Sequence, residues 1–405
     1  MQIVAGVMTR PAAAGSKGSN GDDKKEVVVP RPFVAGSRPI GEAKYDESRA
    51  FTTTQVRMPS FSVSPTGFLG GVWMLFENVT AGNAATVVFA DDAPWNAADS
   101  IYFQDVGSQP LDGPYTGYDL YIIDKYGGYH FQGDQKASPI YSVTAGAGAT
   151  GGSFTFPLYI PIEIVHRDAL GVLPNTSASA TFKLDVSLAP SATVYDTVPT
   201  NAGTCRVRYF LEGFQDPDDV DINGQPVSQN PPAPQTTQYW QKGTLDVNTG
   251  AYDKPLDTFN GLMRNLVFIN YRNADLPTAG RANGDADWAD PFTFMYEKNI
   301  LWDAVPRTLW RHWIATHYGY DAGTETSGGG SAATTAKQRD LGVYPMTWAR
   351  DFGLKVGAEL RLSYPAVSDA TNLSIKGSAG ATDKIVILYN YVRYNGDPRA
   401  LTMGK

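Results

Sequence analysis

A chain of 405 residues with a net charge of −8 and no clustered stripe of Lys and Arg is a poor match for a phosphate backbone, so no nucleic-acid partner is expected. A single cysteine, Cys205, excludes an internal disulfide framework, and no apolar run is long enough to cross a bilayer as a helix. With 42% hydrophobic and 12% aromatic residues, 41 Gly and 27 Pro, the composition suits an all-β protein: broad side chains for pleated faces, permissive ones for turns.

The opening "MQIVAGVMTRPAAAG" lacks a basic stretch and its apolar run stops at Arg10, so it does not read as a signal peptide. "AAAGSKGSNGDDKKE" is small, polar and aperiodic, and the prolines of "VVVPRPFVAG" exclude a central strand. Residues 1–50 are therefore expected to form an arm. From Phe51 onward strand signals begin. "TGFLGGVWMLFENVTAG" and "ATVVFADDAP" read as buried strands, and "GGSFTFPLYIPIEIV" as one whose prolines imply a bulge or an edge. In "ATFKLDVSLAP", Phe182, Leu184, Val186 and Leu188 share one face, while Lys183, Asp185 and Ser187 share the other, as in a strand with one wet side. Cys205 lies in the alternating "TCRVRYFLEGF" and is expected to be a buried thiol. Sequons occur at Asn78, Asn175 and Asn372, which say little about secretion without disulfides.

"DPDDVDINGQPVSQNPPAPQ" then separates the two halves of the chain. Its Asp219, Asp221, Asn223 and Gly224 match the front of a calcium loop, but Asn230 stands where the bidentate glutamate belongs and no helices flank it. A linker is the better reading. Beyond it the pattern restarts: "FNGLMRNLVFINYRN" follows "TGFLGGVWMLFEN", Trp288 follows Trp95, and "YPMTW" follows "FPLYI". "AELRLSYPA" and "KIVILYNYVRY" close the second half as two strands close the first. Matches kept in one order imply a tandem duplication of a β-domain.

The densest cluster of reactive-looking residues, "WRHWIATHYGY" at 310–320, falls inside this repeat. "TLWRHWIATHYGY" aligns without a gap to "TGYDLYIIDKYGG", pairing Trp310 with Tyr118, Trp313 with Tyr121, Ile314 with Ile122 and Tyr318 with Tyr126. Positions 310, 313, 314 and 318 share one helical face, so each half should carry a short amphipathic helix packed by its aromatics. His312 and His317 replace Leu120 and Lys125, lie off that face and are not spaced as helical metal ligands. Carboxylates are plentiful, yet nothing selects a glycosidase pair, and no nucleophile elbow, phosphate-binding loop or paired-cysteine zinc motif is present. The glycine-rich 326–335 stretch reads as a surface loop. No catalytic, cofactor-binding or metal-ligating residues are assigned.

"SPTGFLGGVWMLFENVTAGNAATVVFAD", "AGATGGSFTFPLYIPIEI" with "LPNTSASATFKLDVSLAPSATVY", "RTLWRHWIATHYGY" and "KIVILYNYVRY" give the chain a character that resembles double jelly-roll major capsid proteins, over roughly residues 55–395. The likeness is greatest to those of tectiviruses, membrane-containing bacterial viruses, and more distant to adenovirus hexon. The resemblance implies an all-β fold of two consecutive eight-stranded jelly rolls with a short aromatic helix in each. Its expected division is a flexible arm at 1–50, a first jelly roll at 51–222, a linker at 223–235, a second jelly roll at 236–398 and a tail at 399–405. It further implies homotrimeric, pseudo-hexameric capsomers in an icosahedral virion, assembled in the host cytoplasm. Neighbouring capsomers, vertex proteins and an internal membrane reached by the arm are the implied partners. The other class that the composition allows is a carbohydrate-binding or carbohydrate-cleaving β-sandwich, with exposed Trp and Tyr stacking on sugars. The repeated aromatics separate the two, being buried in a shell protein and exposed in a lectin.

Overall fold

In the computed structural model the described residues are 29–80, 83–127, 135–164, 169–232, 234, 236–259, 261–272, 288–318, 324–326, 336–338, 342–348 and 372–393. The first half opens with β1 (Pro39–Ala50), the short β2 (Val56–Arg57) and β3 (Phe61–Ser62), the long β4 (Gly67–Val79), β5 (Asn83–Phe89), β6 (Ala98–Gln104) and β7 (Pro110–Tyr115). Helix α1 (Gly117–Tyr126) follows, then β8 (Ser142–Val143), β9 (Gly146–Gly148), β10 (Phe154–Pro161), β11 (Leu173–Asn175) and β12 (Lys183–Leu188). A single turn, α2 (Ser191–Val194), leads to β13 (Tyr195–Thr197) and β14 (Thr204–Phe214). The second half holds β15 (Thr237–Val247), β16 (Gly250–Pro255), β17 (Leu262–Arg272), β18 (Phe292–Tyr296) and β19 (Asn299–Val305). Helix α3 (Arg307–Tyr318), β20 (Thr324–Thr326), β21 (Ala336–Gln338), β22 (Val343–Thr347), β23 (Leu373–Ala379) and β24 (Asp383–Arg393) complete it.

Local patterning explains the strands. β12 buries Leu184, Val186 and Leu188 and turns Lys183, Asp185 and Ser187 outward, as its alternation requires. Pro157 sits within β10 opposite Leu75 of β4, while among the described residues β8 pairs only with Phe154 and Thr155 on the other side. A residue without an N–H is tolerated there because that side of the ladder has ended.

The sheets repeat. In the first half β1-β14-β4-β10 form one sheet and β12-β6-β7 another, extended beyond β12 by β2 and β3. In the second half β15-β24-β17-β22 and β16-β23-β18-β19 follow the same orders, with β16 in the place that β2 and β3 share. Even the bulges coincide. An extra residue, Gly70, interrupts β4 opposite Glu212 and Gly213 of β14; Arg264 does the same in β17 opposite Asn390 and Tyr391 of β24. Two eight-stranded jelly rolls built in one order are the result, and closing two sheets face to face protects most of their edges. A contiguous apolar core runs through both halves.

Two expectations need correction. The arm ends earlier than position 50: β1 pairs with β14 from Pro39 opposite Phe214 to Ala50 opposite Thr204, and Tyr45 stacks on Tyr209 at 4.2 Å. Its charged sequence reads as solvated chain because an edge strand can leave most side chains in water while its backbone joins the ladder. Phe33 is also buried, 5.0 Å from Phe68 and 6.0 Å from Phe214. The linker is likewise tied down, since Arg31 bridges Val227 and its N–H donates to the Pro226 carbonyl at 2.7 Å. Residues 1–28, the loop at 327–335, "AELRLSYPA" and the tail at 399–405 lie outside the described residues.

Candidate functional site

Buried polar residues of both halves meet at the seam between them. β7 meets β15 in parallel at Asp112 and Trp240, fusing a sheet of each half into one. The Trp240 N–H donates to Asp112 Oδ1 at 2.9 Å, and the Tyr115 hydroxyl donates to the Trp240 carbonyl and lies 3.2 Å from the same carboxylate oxygen. All three residues are buried. Burial pushes the Asp112 carboxyl up to about 7, against the opposing pull of the Trp240 N–H and Tyr115 hydroxyl. Burial, followed by the nearby Asp112 charge, also drives the Tyr115 hydroxyl well above its ordinary value.

Helix α1 extends this seam. Thr116 caps it by accepting the Asp119 N–H at 3.2 Å, while Asp119 Oδ2 takes the Thr116 N–H at 2.9 Å. The same Asp119 oxygen lies 2.5 Å from Lys242 Nζ on β15, so the cap also ties the helix to the second half. Nearby, Gln238 Nε2 donates to the Glu163 carbonyl at 2.8 Å, and its Oε1 accepts from Arg264 Nη1 at 3.0 Å and Asn390 Nδ2 at 3.2 Å. Tyr271 donates to Asp92 Oδ2 at 2.9 Å across the same boundary. Such buried networks hold one relative placement, because a slip would strand polar groups away from water.

The aromatic helices behave as repeats, with one difference. Tyr118, Tyr121, Ile122 and Tyr126 of α1 and Trp310 and Ile314 of α3 are buried, while Trp313 and Tyr318 are half-buried. Trp95 stacks on Tyr121 at 3.7 Å; Trp288 meets Trp310 edge-on at 6.0 Å. The equivalent Tyr126 and Tyr318 touch each other at 5.2 Å. The amphipathic expectation holds for α3 only. Helix α1 is buried on every side, including Asp124 and Lys125, because Asp124 Oδ2 accepts from Gln135 Nε2 at 2.7 Å and from the Tyr159 N–H at 2.9 Å. His312 is exposed, off the aromatic face, and the His317 side chain lies outside the described residues.

The other singled-out features are structural. Asp221 Oδ1 accepts the N–H groups of Asn223 at 2.8 Å and Gln225 at 2.9 Å, and Oδ2 lies 3.4 Å from Arg31 Nε. These donors hold its carboxyl below the usual carboxylate range and occupy it as the clasp of a turn. Among the described residues no three His, Cys, Asp or Glu side chains gather as a metal site, and no helix is long and apolar enough to cross a membrane. Cys205 is buried, with burial pushing its thiol up to about 12, which keeps it protonated and unreactive. Two sequon asparagines are buried as well: Asn78 Nδ2 donates to the Ala202 carbonyl at 3.0 Å and Asn175 Nδ2 to the Ser64 carbonyl at 2.7 Å.

Sequence reasoning missed the seam. Arg264 within the apolar "GLMRNLVFIN" was its one visible signal, while Asp112 in "LDGP" looks like an ordinary turn residue.

No family model matches the chain, and none of the curated proteins is similar to it in sequence. Solved structures do match in shape. The Sulfolobus turreted icosahedral virus major capsid protein aligns with a TM-score of 0.55 at 10% identity, over 88% of this chain and 97% of that one. The PBCV-1 virus capsid protein aligns at 0.54 and 11% identity, over 90% and 95%. The major capsid protein P2 of bacteriophage PM2 aligns at 0.51 and 7% identity, over 89% and 99%. The match spans both jelly rolls in each case, so this chain has the double jelly-roll fold of viral major capsid proteins.

Proposed function

We propose that the chain is the major capsid protein of an icosahedral virus, with three copies forming a pseudo-hexameric capsomer. The observation that carries this reading is one jelly roll built twice, with a rigid polar and aromatic seam between the copies. A duplicated domain lets a trimer imitate six-fold symmetry through three identical contacts. The burial of Tyr118, Tyr121 and Trp310 favours this over the carbohydrate-binding reading, which needs such rings open to a groove. The role is structural, so no catalytic residue, cofactor or metal is assigned, and the protein's place is the virion shell after assembly in the host cytoplasm.

Light scattering of purified protein is expected to give three times the 43.8 kDa chain mass. A stable monomer would remove the capsomer reading. Residues 1–28 are the segment proposed to reach neighbouring capsomers, vertex proteins or an internal membrane. Deleting residues 2–28 is expected to leave trimers intact, because it spares the buried anchor Phe33 and strand β1, and to block shell assembly seen by electron microscopy. Loss of the trimer itself would count against an adaptor role.

A further inference from the structure

The two halves share a strand order, yet their outer edges meet different fates. In the first half β7 is covered by β15, the opening strand of the second half. The equivalent of β7 is β19: each follows the strand it pairs with, precedes an aromatic helix, and carries a left-handed residue near its end, Gly113 at φ 95° and Ala304 at φ 47°. Among the described residues β19 ends its sheet, with Ile300 52% and Leu301 43% exposed. Helix α3 beside it leaves Leu309 40% exposed, whereas α1 is buried all round. The equivalent of β15 is β1, which pairs with β14 as β15 pairs with β24 and, among the described residues, ends its own sheet, largely exposed. Through the matched bulges Trp240, opposite Asn390, corresponds to Gly41, opposite Glu212.

Each chain thus contains one completed contact of the type β7 to β15, and offers the two halves of a second one, β19 and β1, at separate edges. Those two surfaces cannot both be the same patch, so joining them between copies is head-to-tail, and such contacts close into rings when the rotation allows. From this we infer that β19 and the outer side of α3, through Ile300, Leu301 and Leu309, dock beside β1 of a second copy of this chain, repeating the internal seam around a closed trimer. The occupant is a second copy because the same kind of edge already receives the same kind of strand inside the molecule. Apolar residues on an edge strand also need such cover, since an open edge with Ile and Leu invites uncontrolled pairing. This assignment rests on the trimeric reading above and names its interface.

The test uses full-length protein carrying Gly41→Cys and Asp303→Cys together, treated with a short bis-maleimide. Gly41 has open space around its Cβ position, Asp303 is exposed, and the native Cys205 is buried and silent. The double variant is expected to give covalent three-chain species on a denaturing gel, and each single variant none. Independently, Leu301→Glu is expected to weaken the trimer at least about tenfold, read as a shift toward monomer on dilution, with the monomer's melting unchanged. Protein that is trimeric by light scattering but neither cross-links nor responds to Leu301→Glu would overturn this interface and leave the capsomer standing. Protein that is monomeric before any substitution would overturn both.

Discussion

Trp310→Ala is expected to cost about 3–5 kcal/mol of unfolding free energy, the range for emptying a large aromatic site in a closed core. The ring is 1% exposed and touches Phe292 at 4.8 Å, Trp302 at 5.0 Å, Tyr344 at 5.2 Å and Trp288 at 6.0 Å. Its Nε1–H donates to the Pro345 carbonyl at 2.9 Å, so alanine both opens a cavity and strands a buried acceptor. Trp95→Ala should behave alike, since Trp95 stacks on Tyr121 and Tyr141 in the first half. His312→Ala, two positions from Trp310 and exposed, should change stability by less than about 0.5 kcal/mol. Urea unfolding of the three variants checks the set. A small effect at Trp310 with a large one at His312 would reverse the reading of the cluster as packing.

The second large effect concerns pH. Asp112 holds its proton in the folded seam up to about pH 7, whereas in the unfolded chain its carboxyl ionises near 4. A group whose folded value is raised supports the fold fully below its unfolded value and loses that support as pH rises through the folded one. The window is therefore about pH 4 to 7, with stability falling as pH rises. Between pH 4 and 8 the loss from this one group is on the order of 3–4 kcal/mol. Asp112→Asn keeps an Oδ1 acceptor for the Trp240 N–H but cannot ionise, so the variant should gain on the parent protein as pH increases. Urea midpoints of both proteins across that window measure the difference. Parallel curves would mean that Asp112 is already ionised at low pH and that the seam does not respond to pH.

The features that could be read along the chain are those set by short windows. The alternation of "ATFKLDVSLAP", the aromatic spacing of "TLWRHWIATHYGY" and the ordered return of "TGFLGGVWMLFEN" as "FNGLMRNLVFINYRN" identify strands, helices and a duplicated β-domain, because side-chain period and turn chemistry are local. The same windows misjudged β1, whose charges look like solvated arm, and α1, whose Asp124 and Lys125 look like a wet face. In both, the deciding partner lies far away: Thr204–Phe214 for the strand, and Gln135 and Tyr159 for the helix. Local pattern along the chain identifies most of the long strands, both aromatic helices and the repetition of the β-domain. Tertiary packing alone sets which edges meet within the chain, that Asp112 faces Trp240 and that Asp119 faces Lys242. Those choices join residues more than a hundred positions apart, where burial and a single hydrogen-bond geometry select the partner and no local pattern records it.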